Sequence, residues 1–214
     1  MPQSLKISLG QFSDKGRKHE NQDFHGALLP DQPLLDLKGI SVALADGIST
    51  SAVSSIAAQT AIKSFLTDYY GTPESWSVKT AAHRVIAATN SWLEAQTRAQ
   101  GDDVDSGYVC TLSVLVLKSG TAHIFHIGDS RIYRLAGRSL EQLTVDHRVP
   151  AGPGRSYLGR ALGVSANVEI DYRAIPLAAG DIFVLTTDGV HEHVDAAVVA
   201  DAVGRFGDDL DAAL

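Results

Sequence analysis

Strands, then two long helices in succession, then strands again: this order predicts an α+β fold, with antiparallel sheets and helices packed outside them, rather than alternating βαβ units. Three observations carry the prediction. Short runs of alternating apolar residues occur on both sides of the chain's middle. Residues 53–99 shift to helical spacing. The later strand-like runs are separated by tight, turn-forming gaps.

Taken in order, Leu5, Ile7 and Leu9 alternate with Lys6, Ser8 and Gly10, which predicts a strand over 5–12. The polar segment DKGRKHENQD follows, then a second strand near 24–29. Ile40, Val42 and Leu44 share one face of a third. After Asp46-Gly47 the period changes: Val53, Ile56, Ala57, Thr60, Ala61 and Ser64 fall at helical spacing, with Ser49, Thr50 or Ser51 available as N-cap. A second helix is expected over about 77–99, on a face of Val78, Ala82, Val85, Ile86, Thr89, Trp92 and Leu93. Trp76 and Trp92 are expected to fill core. CTLSVLVL (110–117) and TAHIFHIG (121–128) read as a hairpin across Lys118-Ser119-Gly120, and RIYRL (131–135) with SLEQL (139–143) as another. Residues 148–166, rich in Gly, Arg and Ser, read as a long loop. Strands near 167–173 and 181–187 precede a short helical tail.

Composition bounds the function. The chain has 214 residues, 44% of them hydrophobic and 20% charged, enough for a packed core. One domain over 1–214 is expected. The formal charge of −7 disfavours nucleic acid or an anionic membrane as the main partner. Cys110 is the only cysteine, so neither an internal disulfide nor a cysteine-rich zinc site can form. No secretory signature or apolar run of membrane-spanning length occurs, so a soluble, cytoplasmic protein is expected.

Four carboxylates stand at the ends of strands or apolar runs: Asp23 closes HENQD, Asp46 closes VALAD, Asp129 follows HIG, and Asp188 closes FVLTTD. Asp46-Gly47 and Asp188-Gly189 could be hairpin turns, but neither is followed by a second alternating strand. Converging carboxylates repel one another and take up protons unless a cation neutralises them. Oxygen-only ligands suit hard divalent ions such as Mg²⁺ or Mn²⁺. Two such ions could share a bridging hydroxide ready for in-line attack on phosphorus. Phosphate loops of the G-x-x-x-x-G-K-[ST] or G-x-G-x-x-G type and a G-x-S-x-G elbow are missing. His191 and His193 form an H-x-H pair without a third nitrogen or sulfur ligand nearby, a weak zinc signal. His123 and His126 are expected to be hydrogen-bonded structural residues.

The ordered blocks GRKHENQD (16–23), ALADG (43–47), GYVCTLSVLVL (107–117), HIGDSRIYRL (126–135), LTVDHR (143–148), SYLGRALG (156–163) and GDIFVLTTDGV (180–190) resemble the metal-dependent protein phosphatase family, protein phosphatase 2C. The stretch DYYGTPESWSVKTAAHRVIAATNSWLEAQ is similar to the phosphatase part of bacterial phosphatase–kinase fusions. The resemblance implies a four-layer α-β-β-α sandwich and hydrolysis of phosphoserine and phosphothreonine with two Mg²⁺ or Mn²⁺ ions. Its partners would be a phosphorylated protein and a cognate or fused Ser/Thr kinase. It makes Asp23, Asp46 and Asp188 metal ligands, with Gly47 supplying a backbone carbonyl. Asp129 and Asp188 would match a weaker third metal site.

The departures from the family pattern are specific. Lys18, with Arg17 beside it, stands where an arginine usually grips the substrate phosphate, and lysine lacks the bidentate fork. Gln22 replaces a frequent glutamate and would reach only a metal-bound water. Ile48 occupies a position where some members carry a histidine acid. Glu192 stands where a third-site aspartate often lies. The family's closing Asp-Asn pair and last strand have no counterpart, and Asp208, Asp209 and Asp211 look instead like the first turn of a helix. These departures keep open an alternative: a catalytically impaired, phosphatase-like regulatory or binding domain of a longer protein.

Overall fold

The computed structural model describes residues 5–152, 156–206 and 210. The first sheet takes β1 (Asp23–Leu28), β2 (Ile40–Asp46), β3 (Leu112–Lys118), β4 (Thr121–Ile127) and β9 (Asp171–Pro176), in that spatial order and antiparallel throughout. A smaller sheet has the order β10 (Phe183–Thr186), β5 (Arg131–Ala136), β6 (Ser139–Gln142). The four-layer expectation rests on β3, which is buried on both faces. Leu112, Val114 and Val116 join the cluster under the helices; Leu115 and Leu117 join the cluster shared with Ile132 of the small sheet. The two-residue period puts alternate side chains into two cores.

Helices α2 (Ser54–Gly71) and α3 (Val78–Ala99) cover the outer face of the first sheet, with α1 (Leu34–Lys38) a short turn before β2. α2 packs through Ala57, Ala58, Ala61, Ile62, Phe65 and Tyr69; α3 uses Val85, Ile86 and Leu93. Ser77 caps α3 by accepting from the Thr80 N–H. On the other side, α4 (Asp188–His191) follows β10, and α5 (Ala196–Arg205) lies against β6. The β3–β4 hairpin turns on Ser119 (φ 50°) and Gly120 (φ 74°), both left-handed as a type I′ hairpin turn requires.

Four expectations are corrected. Residues 5–12 form no strand: Leu5 and Ile7 pack against the inter-sheet cluster, but their backbone joins no ladder. Alternation marked a buried face there, not a pairing partner. α2 begins at Ser54 after Val53, with no side-chain cap, because the Ser51 hydroxyl donates to the Gly107 carbonyl and accepts from the Val53 N–H. Trp76 and Trp92 are not core residues; they are 37% and 46% exposed. Trp92 lies one residue off the Leu93 stripe and meets Tyr108 edge-on. Finally, 148–166 is not all loop, since β7 (Arg148–Pro150) pairs with β8 (Ser156–Leu158). Asp208, Asp209 and Asp211 lie outside the described residues.

Candidate active site

β1 runs opposite to β2, and β3 opposite to both β2 and β4, so the start of β1 and the ends of β2 and β4 share one edge. Asp23 and Asp46 are Cα partners across the β1–β2 pair. Neither Asp-Gly is a hairpin turn. Gly47 extends β2 by a bridge to Cys110, and Asp188 opens α4. Glycine is needed at 47 for space, because an added Cβ would lie 2.6 Å from the Ser54 carbonyl oxygen at the start of α2.

Asp46 is 8% exposed. Its amide donates to Thr111 Oγ1 at 2.9 Å, and Thr111 shares a hydrogen bond with Ser130. Its carboxylate Oδ1 is buried with no hydrogen-bond partner. Burial, then the charge of Asp23 and contact with it, then Asp188, push the Asp46 pKa up to about 9. The charge of Lys18 opposes this rise, so Lys18 stands within electrostatic reach of the acids, whereas Arg17 makes no hydrogen bond or ion pair among the described residues.

Asp23 accepts a 2.8 Å hydrogen bond from the Thr187 hydroxyl, which joins the first sheet to the end of β10. Asp46, Gly47, Thr111, Asp129, Arg148 and Asp188 line one cavity of about 180 Å³. Asp129 and Glu192 complete the acidic group, and with Asp188 each is paired with Arg148. The structure assigns Gln22 another task. Its amide donates to the Ile48 and Ser51 carbonyls and to Ser54 Oγ, pinning the loop before α2 rather than facing the acids.

His123 and His126 are hydrogen-bonded within the fold. His126 contacts Ser113 Oγ and the Val145 carbonyl, and His123 contacts the Tyr172 hydroxyl. His191 Nε2 donates to the Asp129 carbonyl, and its Nδ1 is buried with no hydrogen-bond partner. No group of three or more His, Cys, Asp or Glu side chains among the described residues converges into a ready-made metal cage. The misfit between an ionised Asp46 and its dry surroundings is nonetheless what an added cation would relieve, so the donor set fits a hard divalent ion.

Sequence reasoning missed Thr187 and Arg148. Thr187 directly precedes Asp188 in the motif, so its place was legible although its bond to Asp23 was not. Arg148 closes the LTVDHR block, but nothing in the sequence placed it beside the carboxylates.

Fold and site together define an antiparallel two-sheet α+β protein that gathers carboxylates at strand ends beside a small cavity. The family described as Protein phosphatase 2C matches residues 14–211, and the chain belongs to it. Among its relatives, the Serine/threonine phosphatase stp of Listeria welshimeri is 26% identical over 216 residues, covering 88% of this chain and 80% of that protein. The solved structure of the PPM Ser-Thr phosphatase MsPP from Mycobacterium smegmatis superposes with a TM-score of 0.74 at 25% identity, over 94% of this chain and 86% of that one. Stp1 from Staphylococcus aureus superposes with a TM-score of 0.76 at 19% identity, over 99% and 90%, a likeness of fold. Metal dependence is a property of the family. Among the described residues, no helix is long and apolar enough to cross a membrane.

Proposed function

We propose that the chain is a protein-serine/threonine phosphatase that hydrolyses phosphoserine and phosphothreonine with Mg²⁺ or Mn²⁺. Asp23, Asp46, Asp188 and the Gly47 carbonyl would hold the ions. The observation that carries the reading is Asp46, a buried acid with an unpartnered oxygen set opposite Asp23. A fold stabilised by burial has no use for that pair without a cation between them.

When bound, divalent ions neutralise phosphate charge and activate water for in-line attack. The protein's own contributions are positional. The Thr111 hydroxyl fixes the backbone at Asp46, Thr187 orients Asp23, and Gln22 holds the loop on which Ile48 sits. Lys18 supplies an exposed positive charge near the acids for the incoming phosphate, as a point charge rather than a fork. Ile48 offers no proton to the leaving group, so protonation would come from water. The partner is a phosphorylated protein, which implies a Ser/Thr kinase acting on the same residues.

A second reading has a specific observation in its favour: no ready-made cage is present among the described residues. It makes the chain a phosphatase-like binding domain without turnover. Hydrolysis of an aryl phosphate and of a phosphothreonine peptide, with Mn²⁺ and with chelator, separates the two. The phosphatase reading expects Mn²⁺-dependent turnover that chelator and Asp188→Asn both abolish. No turnover at millimolar Mn²⁺ leaves the binding reading, and turnover surviving chelator and Asp188→Asn would sink the metal mechanism.

A further inference from the structure

Arg148 fills the space between three acids from two segments. Its Nε donates to Asp129 Oδ2 at 2.7 Å and its Nη2 to Asp188 Oδ2 at 3.3 Å, and its Nη1 forms an ion pair with Glu192 Oε1 at 2.7 Å. All three guanidinium nitrogens are therefore spent on carboxylates. Burial works against the charge, but the hydrogen bond and charge of Asp129 and the charges of Glu192 and Asp188 outweigh it, and the pKa of Arg148 is raised.

The side chain is held there by the backbone. Residues 146–148 run beside 128–129: the His147 amide donates to the Gly128 carbonyl at 2.8 Å, and the Gly128 amide donates to His147 Nδ1 at 3.0 Å. Gly128 sits at φ 111°, and an added Cβ would lie 2.5 Å from the Thr111 methyl. His147 Nε2 is tied to Asp171, and Asp146 forms a two-pronged pair with Arg131. With Asp146 and His147 both fixed, Arg148 starts β7 aimed at Asp129.

We propose that Arg148 is a resident cation standing in for a metal ion in the Asp129–Glu192 half of the acidic group, so that this chain takes divalent ions only in the Asp23–Asp46–Asp188 half. A hard metal ion would need carboxylate oxygens at about 2.0–2.2 Å around one point. The guanidinium keeps the same acids further apart, spread around a planar fork, and neutralises part of their charge without requiring any metal. Asp188, at the longest of the three contacts, is the acid shared between the halves.

This inference rests on the metal-dependent reading above, and ion counting separates the two. The full chain is stripped with chelator and titrated with Mn²⁺, free Mn²⁺ being followed by its electron paramagnetic resonance signal, for wild type, Arg148→Ala, Arg148→Lys and Arg148→Ala/Asp129→Asn. Arg148→Ala is expected to bind one more Mn²⁺ per chain than wild type. Arg148→Lys should keep the wild-type count, and the double variant should lose the added ion. Equal counts for wild type and Arg148→Ala, with both folded by circular dichroism, would overturn the proposal. If Arg148→Ala does not fold, the lysine variant decides: a count above wild type overturns the proposal, and an unchanged count upholds it. A wild-type chain that binds no Mn²⁺ would instead remove the metal-dependent reading, whatever the variants do.

Discussion

Asp46 and Asp129 stand at the same edge of the same sheet, one at the end of β2 and the other just past the end of β4, and they are 8% and 6% exposed. Their surroundings differ completely. Asp129 receives a guanidinium at 2.7 Å, and its backbone carbonyl accepts from His191. Asp46 faces Asp23 and has an oxygen with no partner at all. Geometry alone would make the two acids equivalent. The partner each is given makes one half of the group self-contained and leaves the other dependent on something added.

The largest test of that difference is activity. Asp46→Asn is expected to cut Mn²⁺-dependent hydrolysis by about 100- to 1,000-fold, the scale on which removal of a charge-stabilising group acts. Glu192→Gln, whose acid is already served by Arg148, should cost less than about tenfold by the same measure. Equal losses in a steady-state assay would erase the distinction between the halves.

Stability without metal should move in opposite senses. In chelator at pH 8, Asp46→Asn should raise unfolding free energy by roughly 1–3 kcal/mol, because the folded chain must keep on Asp46 a proton that the unfolded chain releases, a cost asparagine does not carry. Asp129→Asn should lower it by about 1 kcal/mol, since Arg148 stays partly exposed and keeps its other acids. Urea unfolding of both variants checks the signs.

The pH dependence sharpens this further. Folded Asp46 holds its proton up to about pH 9, against 3.8 for a free carboxyl, so its contribution is complete below pH 3.8 and is lost as pH rises toward 9. His126 has the opposite sense. Burial, then the charge of His147, lowers its pKa to about 4 from 6.5, so its contribution is present above 6.5 and is lost as pH falls through 4. Between pH 6.5 and 9 the contribution of Asp46 to the stability of the metal-free chain should fall as pH rises. Melting curves of Asp46→Asn should lack the Asp46 part of that decline, and below pH 6.5 they should expose the loss from His126, joined by His83 and His123, whose pKa values burial also lowers.

The smallest effect belongs to the hydroxyl between the sheets. Thr187→Val removes the bond to Asp23 and should weaken Mn²⁺ binding by roughly tenfold, as loss of an orienting partner does. Unchanged affinity in the same spin-resonance titration would mean that Asp23 is positioned by its strand alone.

What the sequence discloses follows the same division. Asp23, Asp46 and Asp188 were legible because strand periodicity ends on them, and antiparallel order brings such ends to one edge. Arg148 was not, because its position depends on a hairpin that pairs only three residues with three and on a backbone match between 128–129 and 146–148. Composition made that stretch read as loop. Trp92 failed for a different reason: each step along a helix turns by about 100°, and Trp92 lies one step off the Leu93 stripe. For 5–12, alternation revealed burial but could not reveal that no neighbouring strand would pair with it.

Cys110 bridges Gly47 on one side and Leu162 on the other, directly behind the acids. Burial, then Asp46, push its thiol pKa up, so in the closed protein it is a poor nucleophile with no route to reagent. As the only thiol in the chain, it is a built-in stopwatch. Its alkylation under pulse labelling times the opening of the layer that carries the site, with no probe to be introduced and no second signal to subtract.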